Sequence, residues 1–140
     1  MNKRPLGKTG LAIAPVVFGG NVLGWTVDEK TSFQILDAFI DHGFDAIDTA
    51  DVYSAWAPGN KGGESESIIG RWLKVRPGMR DRVVIFTKVG SDMGAPERKG
   101  LSERWILQAV DDSLARLGVS EIDLYFSHRP DPSTAHEENA

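Results

Sequence analysis

The chain has 140 residues, of which 41% are hydrophobic and 26% charged, and a formal net charge of −4: an ordinary globular sequence, long enough for one domain and too short for two. Lysines and arginines scattered among the acids at a pI near 5.3 leave no continuous basic face, so nucleic acid is excluded as an expected partner. No run approaches the roughly 18 apolar residues of a membrane span, and a cysteine-free chain whose basic start lacks an apolar h-region is expected in the cytoplasm, away from any membrane.

In chain order, "LGKTGLAIAP" reads as a small hairpin with Lys8-Thr9-Gly10 at its turn. Pro15 to Phe18 is a first short strand. A possible capping box of Thr26 and Glu29 then opens a helix that places Phe33, Leu36 and Ile40 on one face, with Ile35 and Phe39 beside them, and ends at Gly43. Phe44 to Thr49 is the second strand. The second helix starts within Gly62-Gly63-Glu64-Ser65 and carries Ile68, Ile69, Trp72 and Leu73, its acids Glu64 and Glu66 suiting the positive end of the helix dipole. Val83 to Thr87 is the third strand. In the third helix Ser102 is the cap, Ile106, Val110, Leu114 and Leu117 recur at spacings of three and four, and Gly118 is the stop. Ile122 to Ser127 is the fourth strand.

Strand and helix alternating at about 35 to 40 residues per unit predict a parallel sheet with crossover helices. Doubly wound sheets and eight-fold barrels are both built this way. A dinucleotide-binding doubly wound sheet wants G-x-G-x-x-G straight after its first strand, and the glycines of Gly19-Gly20-Asn21-Val22-Leu23-Gly24 have the wrong spacing. The N-terminal hairpin suits the bottom of a barrel. In barrels the chemistry sits at the C-terminal strand ends.

There the second strand delivers Asp48 with Tyr53 just beyond, the third Lys88, and the fourth His128. Each has a plainer use: Asp48 as a turn former, Tyr53 as a loop-packing aromatic, Lys88 and His128 as solvated strand ends. Converging on one rim, the four suit proton donation to a carbonyl oxygen. An ammonium near a phenol favours the phenolate, so Lys88 would tune Tyr53 as the acid, and Asp48 would hold Lys88 charged. A neutral His128 would orient the carbonyl by a hydrogen bond. The hydride must come from outside the side chains. A second chemistry stays open: Lys88 could form a Schiff base, as in barrel aldolases. A metal-dependent hydrolase is less suited, since the first strand has no H-x-H pair and the three histidines, His42, His128 and His136, lie far apart, so no metal is expected.

The segments "LGKTGLAIAPVVFGGNVLGW", "GFDAIDTADVYSAWAPGNKGGESESIIGRWL", "VVIFTKVG" and "SLARLGVSEIDLYFSHRPD" resemble the N-terminal half of an aldo-keto reductase, and the likeness runs along essentially the whole chain. The family's Asp, Tyr, Lys, His tetrad falls on Asp48, Tyr53, Lys88 and His128. The resemblance implies an α/β (β/α)8 TIM barrel, NADPH as the usual hydride donor, and reduction of an aldehyde or ketone, a small-molecule carbonyl substrate, with Tyr53 as the general acid. It also implies that Gly20, Asn21 and Asp48 lie near the nicotinamide. Trp25 and Trp56 on the same rim are candidates for the wall of a substrate pocket, or else pack loop against loop.

Such a barrel typically needs about 250 residues, and four strands are half of its sheet. Thr134-Ala135-His136-Glu137 reads as another capping box, the start of a fourth helix. Residues 1–140 are therefore expected to be the N-terminal part of a single barrel domain, truncated before the half that would hold most of the cofactor. If it is stable as a half barrel by itself, its open edges point to a homo-oligomer whose halves cover each other. An inactive half barrel serving as an interaction module, with the tetrad a relic, is the non-catalytic alternative.

Overall fold

A computed structural model describes residues 2–138. β1 (Arg4–Pro5) and β2 (Ala12–Ile13) pair antiparallel as the expected hairpin. β3 (Val17–Gly19), α1 (Glu29–Asp41), β4 (Ala46–Asp48), α2 (Glu64–Lys74), β5 (Val84–Val89), α3 (Glu103–Leu117) and β6 (Leu124–Ser127) follow in alternation. The last four strands lie side by side in chain order in one parallel sheet. A doubly wound sheet reverses its strand order at a switch point, whereas this order runs on without reversal, as in a partial (β/α) barrel.

Local chemistry sets most of the boundaries. β3 begins at Val17 rather than Pro15, proline having no N–H to give to a ladder. β5 runs past Thr87 to Val89 because Lys88 and Val89 pair with Phe126 and Ser127. α1 is capped by Asp28, whose carboxylate accepts from the Thr31 amide at 2.8 Å, and not by the expected Thr26–Glu29 box. Its other end is a Schellman turn. Gly43, at φ 87°, gives its N–H to Ile40 O while the Phe44 N–H reaches Phe39 O, and the rings of Phe39 and Phe44 stack at 4.9 Å. Phe44 therefore belongs to the turn rather than to β4.

In α3 the Ser102 hydroxyl accepts from the Trp105 amide, and Gly118, left-handed at φ 65°, ends the helix as expected. The expected box at Thr134–Glu137 does not form: the Thr134 hydroxyl donates to Asp131 instead, and His136–Glu138 make a single 3-10 turn. Residues 139 and 140 lie outside the described residues.

Strand side chains alternate between two faces. Ile47 and Ile85 point outward and are fully buried under Leu36 and Ile40 of α1, Ile68, Ile69 and Trp72 of α2, and Leu117 of α3. Each such burial stabilises by about 1.5–3 kcal/mol. Trp72 adds a directional lock, its indole N–H donating to Asp37 on α1 at 2.8 Å, where Arg76 also pairs. The inner face is apolar at the bottom, where Ala46 and Phe86 pack with Ile13 and Leu6 of the hairpin region, and becomes polar toward the strand ends. Among the described residues no helix is long and apolar enough to cross a membrane.

Candidate active site

Asp48 and Lys88 are the last inward-facing residues of β4 and β5. Their neighbours Ile47 and Thr87 face the helices, so the two-residue period that buries one pair turns the other to the inside. Lys88 Nζ lies 2.7 Å from Asp48 Oδ2, 2.8 Å from the Thr49 carbonyl and 2.9 Å from Tyr53 Oη. Its side chain is 14% exposed and that of Asp48 25%, so the pair stands at the border of solvent, partly desolvated. The Tyr53 hydroxyl also approaches Asp48 Oδ2, at 3.5 Å.

Tyr53 is brought there by a loop made almost wholly of turns. The amides of Tyr53, Ala55, Ala57 and Asn60 each donate to the carbonyl three residues earlier. Ser54, fully buried, adopts φ 71°, a left-handed conformation that side chains rarely take, and its hydroxyl donates to Leu23 O at 2.6 Å. The Asn60 amide nitrogen donates both to Ser54 O and to Gly24 O. Residues 57–63 are thus tied to the loop after β3 through Asn60, and the strained Ser54 fixes the tyrosine before it.

His128 follows β6, its ring 5.7 Å from that of Tyr53, and its Nδ1 lies 3.2 Å from Ser91 Oγ. Burial, then the cations of Lys88 and Arg129, hold its imidazole below the ordinary value against the pull of Asp48, so it is neutral at pH 7. All four tetrad residues come together on the rim. Sequence reasoning passed over Ser91, which sits in a stretch that looks like any polar loop.

Beside them opens a cavity of about 500 Å³ lined by Val17, Gly19, Asp48, Phe86, Lys88 and His128, with Phe126 and Ser127 completing it. Gly19 lacks the side chain that would stand on this floor. A Cβ there would come within 3.4 Å of the Asn21 side chain. Gly20 is buried, and a Cβ on it would meet Asp48 O at 2.9 Å, so its role is to let the two strand ends approach; Asn21 is exposed at the rim. Trp25 and Trp56 meet edge to face at 5.6 Å, both about half exposed, and Trp56 is 6.2 Å from Tyr53.

Behind β5, on its helix side, lies a second charged group that the sequence concealed. Glu66, read as a dipole partner at the start of α2, is fully buried, paired with Arg116 Nε at 2.6 Å and bound by the Thr87 hydroxyl. Asp51 is buried close to this pair with no full hydrogen bond to either carboxylate oxygen. Burial and the Glu66 charge push Asp51 up to about 7, against the Val52 amide and the cations of Arg116 and Arg98. The Tyr125 hydroxyl is likewise buried without a partner among the described residues, and burial, Asp51 and Glu66 raise its phenol well above the usual range. No cluster of three or more His, Asp or Glu residues able to hold a metal ion occurs among the described residues.

The model of the Aldo/keto reductase family matches residues 15–140. The chain is 65% identical over 95 residues to an uncharacterized 11.2 kDa protein in the crtE 3′ region of Pseudescherichia vulneris, covering 68% of this chain and 92% of that protein. It is 37% identical over 138 residues to the uncharacterized oxidoreductase YrpG of Bacillus subtilis, and 35% identical over 134 residues to the 6-dehydroglucose reductase of Novosphingobium aromaticivorans. Those matches cover 95% and 91% of this chain but only 41% of each of the two longer proteins.

Proposed function

The chain belongs to the aldo/keto reductase family, and on that premise we propose that it contributes the acid side of an oxidoreductase site reducing an aldehyde or ketone with NADPH. The observation that carries this reading is Lys88 Nζ held between Asp48 Oδ2 and Tyr53 Oη at 2.7 and 2.9 Å.

The Tyr53 hydroxyl donates its proton to the carbonyl oxygen of the substrate. The Lys88 ammonium faces the phenol oxygen and stabilises the negative charge that appears there as the proton leaves. Asp48 holds that ammonium in place, and neutral His128 fixes the direction of the substrate oxygen by a hydrogen bond. Trp25 and Trp56, paired edge to face with Trp56 6.2 Å from Tyr53, would offer the substrate an apolar wall beside the acid. When bound, NADPH supplies the hydride. The fit of a flat nicotinamide is supported by the apolar cavity walls of Val17, Phe86 and Phe126 and by the floor left open at Gly19. Gly20, Asn21 and Asp48 are the residues of this chain assigned to its neighbourhood.

A Schiff base on Lys88 is less well supported. Its nitrogen already faces three oxygens, which leaves no free lone pair to add to a carbonyl. As the N-terminal part of one barrel domain, the sheet has open edges at β3 and β6 and exposes Val17 and Phe126 at 39% and 40%. If residues 1–140 are stable as a half barrel by themselves, a second copy would bring four more strands and cover these edges, and a homo-oligomer is expected.

The test is a titration of the 140-residue protein with NADPH, followed by cofactor and tryptophan fluorescence with mass measured on the same sample. Aldehyde-dependent NADPH oxidation is then compared between wild type and Tyr53→Phe. Saturable binding, a mass above one chain and turnover lost in Tyr53→Phe are expected. Turnover that survives Tyr53→Phe, or no binding at millimolar NADPH, overturns the proposal.

A further inference from the structure

We propose that Ser91 is a positioning residue for this site: its hydroxyl donates to His128 Nδ1 and so keeps the imidazole proton on Nε2, the nitrogen left to meet a carbonyl oxygen. The inference rests on the reading of His128 as the group that orients the substrate.

Ser91 follows β5 directly after Gly90, whose φ of 117° turns the chain at the strand end. The serine is 6% exposed, too buried to serve the substrate itself, and its Oγ lies 3.2 Å from His128 Nδ1. A second tie holds the two segments in register, the His128 amide donating to Val89 O at 2.7 Å. The histidine therefore presents one fixed edge to Ser91 while lining the cavity beside Lys88.

A neutral imidazole carries one N–H and one lone pair, and the hydrogen bond made by one nitrogen decides where the proton sits. Burial and the nearby cations of Lys88 and Arg129 keep this ring neutral. If Ser91 donates, its buried hydroxyl proton is satisfied and Nε2–H is free to donate into the cavity. With the opposite tautomer Nδ1–H would donate to Oγ, the hydroxyl proton would need another acceptor, and a bare Nε2 lone pair would repel a carbonyl oxygen. Ser91 thus selects the tautomer that the reaction needs, without touching the reacting atoms.

The test needs neither cofactor nor substrate. Nitrogen-15 correlation spectra of the histidine rings at pH 7.5 are expected to give His128 a protonated Nε2 and an unprotonated Nδ1 in wild type. Ser91→Ala is expected to mix the two tautomers, and Ser91→Thr, which keeps the hydroxyl, to restore one. In turnover, Ser91→Ala is expected to lower kcat about tenfold with the KM for NADPH unchanged. A wild-type ring protonated on Nδ1, or a Ser91→Ala ring with the wild-type tautomer, overturns the proposal. If Ser91→Ala does not fold, the wild-type spectrum and Ser91→Thr decide. Because the spectra are read without NADPH, the tautomer result stands apart from the Tyr53→Phe result that tests the reductase reading.

Discussion

Lys88 and Asp48, 40 residues apart in the chain, form a part-buried ion pair across neighbouring strands at 2.7 Å. Asp48→Asn keeps the shape of the acceptor and removes its charge, leaving the ammonium less firmly anchored under Tyr53. The expected result is a kcat for aldehyde reduction about 10- to 100-fold lower, with an unchanged far-UV circular dichroism spectrum. A wild-type kcat would take Asp48 out of the chemistry.

His128 is held below the usual imidazole value of 6.5 by burial first and then by Lys88 and Arg129. Between its folded value and 6.5 the unfolded chain binds the proton more readily, so this group's contribution to stability is present above 6.5 and is lost as pH falls through the folded value. The ring proton resonances of His128 are expected to titrate with a midpoint below 6.5, moving upward in Lys88→Met. A midpoint unmoved by Lys88→Met would show that the lysine does not act on the imidazole.

Asp51 has the opposite sign. Raised from 3.8 to about 7 by burial and by Glu66, its protonated form suits the folded chain, so its contribution to stability is fully present below 3.8 and is lost as pH rises through about 7. The charges and titrating groups around it are Glu66, Arg116, Arg98 and Tyr125. Asp51→Asn is expected to gain about 1–3 kcal/mol at pH 8 and clearly less at pH 5, read by urea unfolding at both pH values. An equal gain at the two would mean that the carboxyl does not change charge in the folded protein across that range.

Arg116 compensates the fully buried Glu66. Arg116→Met strands that carboxylate and is expected to cost about 3–5 kcal/mol in urea unfolding. Adding Glu66→Gln should recover a large part of the loss. A double variant no more stable than Arg116→Met alone would point to lost packing of the arginine stem rather than to the stranded charge.

By itself the sequence determined the alternation of strand and helix, the stops at Gly43 and Gly118, the Ser102 cap and the strand-end positions of Asp48, Lys88 and His128, because these depend on a period of two or 3.6 residues and on local backbone chemistry. Where two local solutions compete, only the fold chose. Thr26 and Asp28 can both cap α1, and in the fold it is Asp28 that accepts from the Thr31 amide. Thr134 could have capped a helix, but Asp131 took its hydroxyl. The tertiary structure alone brought Ser91 to His128 across 37 residues and Glu66 to Arg116 across 50, and bent Ser54 so that Tyr53 reaches Lys88. Periodicity gives a residue its face, but contact between loops follows from the packing of whole strands and helices, which no local pattern encodes.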